Sequence, residues 1–418
     1  MSPHTKEMRR NFWMLLIAFS LLIIIGTSNV FSSTFVEDMA EGGSAYGHLI
    51  RQGVYLALGL APAIFVYKKD YHMWKKWSVR LLLFTAVLLI AVLFAGIVVN
   101  GARRWLGAGG FTFQPSEIAK LAIILFTADK LAPLWDKNGH IEFFSPLSAF
   151  FPAKSGKPPR WKRIRFVPHP LLLPPLALAI LVFRQPDAGT ALVILFLPLV
   201  MFWVSGASIL KARVPLLGTL AVGIVYLLSA PYRMNRIISW YDPWSYEKTL
   251  GYQTVQGLIA IGSGGVMGQG LGEGISKFSY LPEAHTDFAF AVLAQEWGLR
   301  GSVFMLVLFS MIIYFGCNCA WNTRDTFGKL LAVGITMYFG GQGMINLAMV
   351  SGILPVVGVP LPFISYGGTS LLLNMVAAAL LLNIAHRNYR EAVIDARLRE
   401  QPVLHSMKEE TRSRFPLR

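Results

Sequence analysis

The run Tyr280-Leu281-Pro282-Glu283-Ala284-His285-Thr286-Asp287-Phe288 gathers two carboxylates, an imidazole and two hydroxyls directly before a long apolar stretch. Ionisable groups at the edge of a hydrocarbon-spanning helix are costly to desolvate, which makes them functional candidates first. Asp287 has two jobs open to it. It can take a proton as a general base, or it can cap the helix that follows, a role Thr286 could fill as well. The residues alone leave these readings level.

Other reactive side chains fall in short polar islands. Arg103 and Arg104 adjoin Trp105 in Asn100-Gly101-Ala102-Arg103-Arg104-Trp105. Snorkelling would account for one arginine and the tryptophan. Two adjacent guanidiniums also suit an anion, because Arg donors match phosphate oxygens bidentately. Glu117 and Lys120 follow Pro115 at i, i+3, on one helical face where they can pair. A structural ion pair and a substrate role are both open to them. In Arg184-Gln185-Pro186-Asp187, Asp187 can cap the next helix. Arg233 and Arg236 alternate with aromatic residues over 232–244, as on a helix lying in a membrane interface. The glycines of 262–274 imply close backbone turns near a ligand or another helix.

The elements that must position these groups are membrane spans. Of 418 residues 54% are hydrophobic and only 14% charged, with a mean hydropathy of +0.52. Apolar runs approaching the roughly 20 residues that cross a bilayer recur along the chain. They predict an all-α, polytopic protein with about ten spans, at 12–30, 49–66, 81–99, 115–132, 168–183, 189–204, 214–229, 288–316, 330–350 and 369–385. Pro174 and Pro175 predict a kink or tilt in the fifth. The first span follows Arg9-Arg10 and reads as an uncleaved anchor. Between Lys329 and His386 there is no charge, yet prolines and glycines crowd 352–368. Such broken backbone is tolerated at membrane depth only where it is buried in protein or lines a cavity.

Charge sets the expected orientation. With the N-terminus inside, cytoplasmic segments carry 28 Lys and Arg against 7 outside, and Arg51, Lys120 and Arg300 fall within spans. This excess places both termini in the cytoplasm. It makes 230–287 a large extracytoplasmic loop between the seventh and eighth spans, and 133–167 a basic cytoplasmic loop. The net charge of +16 is then accounted for by topology and anionic headgroups, with no nucleic-acid partner required. One membrane domain is expected over residues 1–390, with a flexible tail over 391–418. Cys317 and Cys319 lack a nearby His and make a poor metal site; reduced thiols are expected.

Several separated motifs resemble one family. Asn346 through Gly352, Pro355 and Gly358 to Phe363-Ile364-Ser365-Tyr366-Gly367-Gly368-Thr369-Ser370 is similar to the signature of the SEDS proteins (shape, elongation, division, sporulation), the FtsW and RodA type. Gly101-Ala102-Arg103-Arg104-Trp105, Gln114-Pro115-Ser116-Glu117, Gln185-Pro186-Asp187, Gly251-Tyr252-Gln253 and Leu281 through Phe288 match in the same order. The wording of the last is closer to the division and sporulation members. The resemblance implies a peptidoglycan glycosyltransferase that polymerises lipid II beside a class B penicillin-binding protein, within a division or elongation complex. It implies Asp287 as the catalytic residue. Arg103, Arg104, Glu117, Lys120, Arg233, His285 and Ser365 become candidates for holding pyrophosphate or lipid II. A divalent cation, Mg or Mn, could share the cationic clamp, although the sequence has no clear ligand cluster. Two other classes fit less well: a lipid II flippase, which needs ionisable groups near the midplane, and a scaffold that only recruits a partner, which leaves the outward arginines without a purpose.

Overall fold

Within hydrocarbon every backbone polar group must be satisfied inside its own segment, so apolar runs become helices. The computed structural model describes residues 2–40, 44–99, 102–108, 111–146, 165–208, 231–278 and 280–414. Its helices are α1 (Pro3–Ala40), α2 (Gly47–Lys68), α3 (Ser78–Ala95), α4 (Pro115–Asn138), α5 (Leu173–Phe183), α6 (Ala188–Val204), α7 (Pro231–Tyr241), α8 (Tyr252–Ser263), α9 (Ala289–Asn322), α10 (Thr326–Val350) and α11 (Gly368–Arg414). Nine expected spans coincide with helices, and the one expected over 214–229 lies outside the described residues. Among the described residues six segments, containing α1, α2, α3, α9, α10 and α11, are long and apolar enough to cross a membrane, while α5 and α6 are shorter. The chain is an all-α, multi-pass membrane protein.

Two features differ from expectation. Pro174 and Pro175 do not kink the fifth span; they occupy the first turn of α5, after a 3-10 turn over Pro170–Leu172. Proline suits that position because its missing N–H would be unpaired there anyway. Short strands also appear. β1 (Ile97–Val99), β2 (Ala102–Ala108) and β3 (Phe111–Phe113) form an antiparallel meander after α3, with Val98 opposite Arg103 and Leu106 opposite Phe113. β4 (Phe144–Pro146) and β5 (Arg165–Pro168) pair within the basic loop. Residues 100 and 101 of the first arginine motif, and 147–164 of the basic loop, lie outside the described residues.

α10 sits at the centre, packed on α9, α4 and α6, while α1 packs on α9 and α11, and α2 on α11. At about 1.5 Å per residue the 38-residue α1 is roughly 57 Å long, so it stands well beyond a hydrocarbon core of about 30 Å. α9 breaks at Gly298, where φ is +69° and ψ is −161°. The glycine stretch repairs the break. Gln269 and Gly270 donate their N–H groups to the carbonyls of Gln295 and Glu296, and Leu299 donates to Gly265. A Cβ at Gly268 would lie 2.1 Å from the Glu296 carbonyl oxygen, so only glycine permits this approach. Beside the break, Lys277 pairs with Glu296 at 3.2 Å, both side chains nearly inaccessible, and Ser32 of α1 donates to the same carboxylate.

Candidate functional site

Asp287 lies in an irregular turn directly before the cap position of α9. The cap position belongs to Phe288, which makes no side-chain cap bond. The cause is local. Glu283 adopts φ +56°, and its carbonyl accepts the N–H groups of both Thr286 and Phe288. The Thr286 hydroxyl bonds the Glu283 carboxylate at 2.5 Å. The turn thus closes on itself, and Asp287 is only partly buried.

The proline-rich segment 351–367 holds this turn in place. Ser365 Oγ donates to the Thr286 carbonyl at 2.6 Å and accepts the Leu361 N–H at 2.8 Å. The Tyr366 N–H donates to the His285 carbonyl at 2.8 Å. From α10, the fully buried Asn346 amide donates to the carbonyls of Asp287 at 2.8 Å and Val359 at 2.7 Å. Gly358 has φ +71°, and a Cβ there would stand 3.2 Å from Asp287 Oδ2. The segment is itself seated on α1: a Cβ at Gly26 would collide with the Phe363 carbonyl at 2.0 Å. Trp240 of α7 donates to the Gly352 carbonyl at 3.0 Å.

The sequence-predicted residues divide among three places. His285 shares the Asp287 turn, with Nδ1 3.4 Å from Glu37 Oε2 and its ring 6.1 Å from those of His48 and Tyr366. Ser365 is buried and its hydroxyl is engaged on both sides, so it braces the turn. Glu117 and Lys120 form a 2.7 Å ion pair with both side chains almost wholly buried. Lys120 also donates to Gln342 Oε1 at 3.2 Å, and Gln342 Nε2 reaches the Pro360 carbonyl at 2.8 Å. This pair supports the broken segment from within.

Arg103 and Arg104 lie on β2. Arg103 is exposed, whereas Arg104 donates to the carbonyls of Gln185, at 3.1 Å, and Pro186. Asp187 caps α6 by accepting the Thr190 N–H at 3.0 Å. Burial pushes its carboxyl above the ordinary range, against the pull of Arg104 and the Thr190 bonds. Gly189 then packs on the far side of the same broken segment, so closely that a Cβ there would stand 2.3 Å from the Val357 carbonyl oxygen. The arginine strand and the Asp287 turn therefore meet across 357–358. Arg233 is on α7, and its side chain lies outside the described residues.

Residue patterns missed several participants. Asn346 opens the family-like signature but gains no role from it, and Gln342 stands out in no motif; their spacing of four is the available signal, since it puts both amides on one face. Asp38 and His48 were also overlooked. His48 Nδ1 is 2.7 Å from Asp38 Oδ1 and its N–H donates to Oδ2, an arrangement that fixes the start of α2 beside Tyr366. Among the described residues no group of three His, Cys, Asp or Glu side chains is placed to hold a metal ion.

Fold and site together define an integral membrane protein with a carboxylate-bearing turn framed by broken backbone at one end of its helical bundle. The protein family described as "Cell cycle protein", that of FtsW, RodA and SpoVE, matches residues 12–390, and the chain belongs to it. It is 37% identical over 378 residues to Stage V sporulation protein E of Bacillus subtilis, covering 89% of this chain and 96% of that protein. It is 36% identical over 388 residues to a probable peptidoglycan glycosyltransferase FtsW of Geobacter sulfurreducens, covering 92% and 97%. Among solved structures, a chain of a peptidoglycan synthase complex, studied for the coordination of polymerisation and crosslinking, superposes with a TM-score of 0.67 at 27% identity, covering 90% of this chain and 98% of that one. The rod shape determining protein RodA of Thermus thermophilus gives 0.61 at 26% identity, covering 90% and 97%.

Proposed function

We propose that this chain is a peptidoglycan glycosyltransferase that polymerises lipid II at the outer face of the cytoplasmic membrane, with both termini in the cytoplasm. Asp287 is the general base. It takes the proton from the acceptor sugar's 4-hydroxyl; the oxygen bonds to the donor's anomeric carbon; the bond to the lipid pyrophosphate breaks and that group departs with the electron pair. Positive charge near the leaving group stabilises it. Exposed Arg103 supplies such charge, while Arg104 and the Glu117–Lys120 pair set the surrounding backbone. His285 helps fix the turn through its carbonyl.

One observation carries this reading. The Asp287 carboxyl sits, only partly buried, on a turn held at its own carbonyl by Asn346 and at the preceding one by Ser365. Family membership and the names of the relatives support the substrate class. By analogy with the synthase complex, a class B penicillin-binding protein crosslinks the product. The test is purified full-length protein with lipid II, with and without that partner, read as glycan polymer; no polymer under either condition would overturn the reading. Orientation has its own test. Cysteine at exposed Lys248 should react with an impermeant thiol reagent in wall-stripped cells, and cysteine at exposed Lys137 should not. The reverse pattern would invert the topology. Lys277, sealed in its ion pair, is unsuitable as a labelling position.

A further inference from the structure

At the end of the bundle opposite Asp287, the C-terminal end of α2 and the middle of α11 line an open cavity of about 520 Å³. Its walls are fixed. Asn383 Nδ2 donates to the carbonyls of Tyr67 and Lys69, which satisfies the last turn of α2. The Tyr67 hydroxyl and His386 Nδ1 are hydrogen-bonded. The two acids of the lining, Asp70 and Glu391, are both engaged by Arg387, at 2.8 and 3.0 Å. Three cations of the lining remain: Lys68, Lys69 and Arg390. All are exposed, and none has an ion-pair partner among the described residues.

The location determines what such charges meet. α2 is lipid-facing just before the cavity, with Leu60, Ile64 and Phe65 all exposed. Lys69 Nζ lies 5.9 Å from the Phe65 ring, leaning back toward that apolar surface. The cavity thus continues an acyl-chain track at the level where the spanning part of α2 ends. Lys68 and Lys69 could serve only to offset the carbonyl end of the α2 dipole. Arg390 adds a third cation from a second helix, α11, which runs on to Arg414. A guanidinium fork beside two ammoniums matches phosphate oxygens.

We propose that this cavity binds the phosphate of an anionic phospholipid headgroup in the leaflet at that end of the bundle, with the acyl chains along α2. Full-length protein in detergent, titrated with phosphatidylglycerol or phosphatidylcholine and read by native mass spectrometry, should retain the anionic lipid at least about tenfold better. Each basic residue near a membrane surface contributes roughly fivefold, so the K68Q/K69Q/R390Q variant should lose on the order of a hundredfold. Because these side chains are exposed, the variant should unfold at the wild-type temperature in lipid-free detergent. Should the triple variant fail to fold, Arg390→Gln alone should still cost roughly fivefold. Equal retention of the two lipids, or undiminished phosphatidylglycerol binding in the variants, would overturn the proposal. Millimolar inorganic phosphate that displaces the lipid completely and protects the protein equally against heat would identify a soluble anion as the occupant and overturn the lipid assignment.

Discussion

Asp287 and Asp325 stand in similar sequence settings, each just before a long apolar helix, yet the structure sets them differently. Asp325 caps α10, accepting the Gly328 N–H at 2.7 Å, and also accepts the Tyr71 hydroxyl and faces His72 Nε2 at 3.3 Å. Asp287 precedes α9 with Phe288 between it and the first helical residue, at the cap position. Around Asp325 the backbone is regular, so the carboxylate finds orphan N–H groups waiting for it. Around Asp287 the Glu283 carbonyl accepts the N–H groups of Thr286 and Phe288, ahead of the helix, and amide and hydroxyl side chains fix the turn from outside. One carboxylate holds its own helix end; the other sits on a turn that Glu283, Asn346 and Ser365 hold.

The most severe loss tests that contrast directly. Asp287→Asn keeps volume and a possible capping oxygen but removes basicity. Polymerisation of lipid II should fall about 10²–10⁴-fold with the unfolding temperature unchanged. A well-folded Asp287→Asn protein working at the wild-type rate would sink the catalytic assignment.

Glu117 shares the Asp287 end but is committed like Asp325, so its pair should report on stability. Lys120→Met leaves a buried, uncompensated carboxylate and should cost about 3–5 kcal/mol. Thermal unfolding in detergent reads this, and an unchanged midpoint would show the pair to be dispensable.

Gly358→Ala probes the comparison at the broken segment. An alanine at φ +71° costs roughly 1–2 kcal/mol, and its methyl would press on the Asp287 carboxylate. Activity should drop by about tenfold or more, a larger loss than the stability change alone would give. Activity falling only in step with the folded fraction would show that Gly358 matters for folding and not for placing Asp287.

The mildest change belongs to the other aspartate. Asp325→Asn retains a cap acceptor and should change stability by well under the roughly 0.5–2 kcal/mol of a lost cap, whereas Asp325→Ala should lose about that amount. Folded Asp325→Ala protein should polymerise normally. A kinetic defect there, measured per folded molecule, would erase the distinction between the two ends.

The spans were legible from residue order alone, because bilayer thickness imposes a length that any apolar run reveals. So were the polar islands and the broken segment, since charge and proline are conspicuous against hydrocarbon. Residue order could not decide whether Glu117 and Lys120 were a ligand site or a brace. That depended on Gln342 arriving from α10, a partner more than two hundred positions away. Nor could it give the shape of the Asp287 turn, which depends on a left-handed Glu283 within it and on Asn346 and Ser365 bonding its carbonyls from outside. Composition and spacing record what each residue can do; only packing decides which of its possible partners has already been supplied.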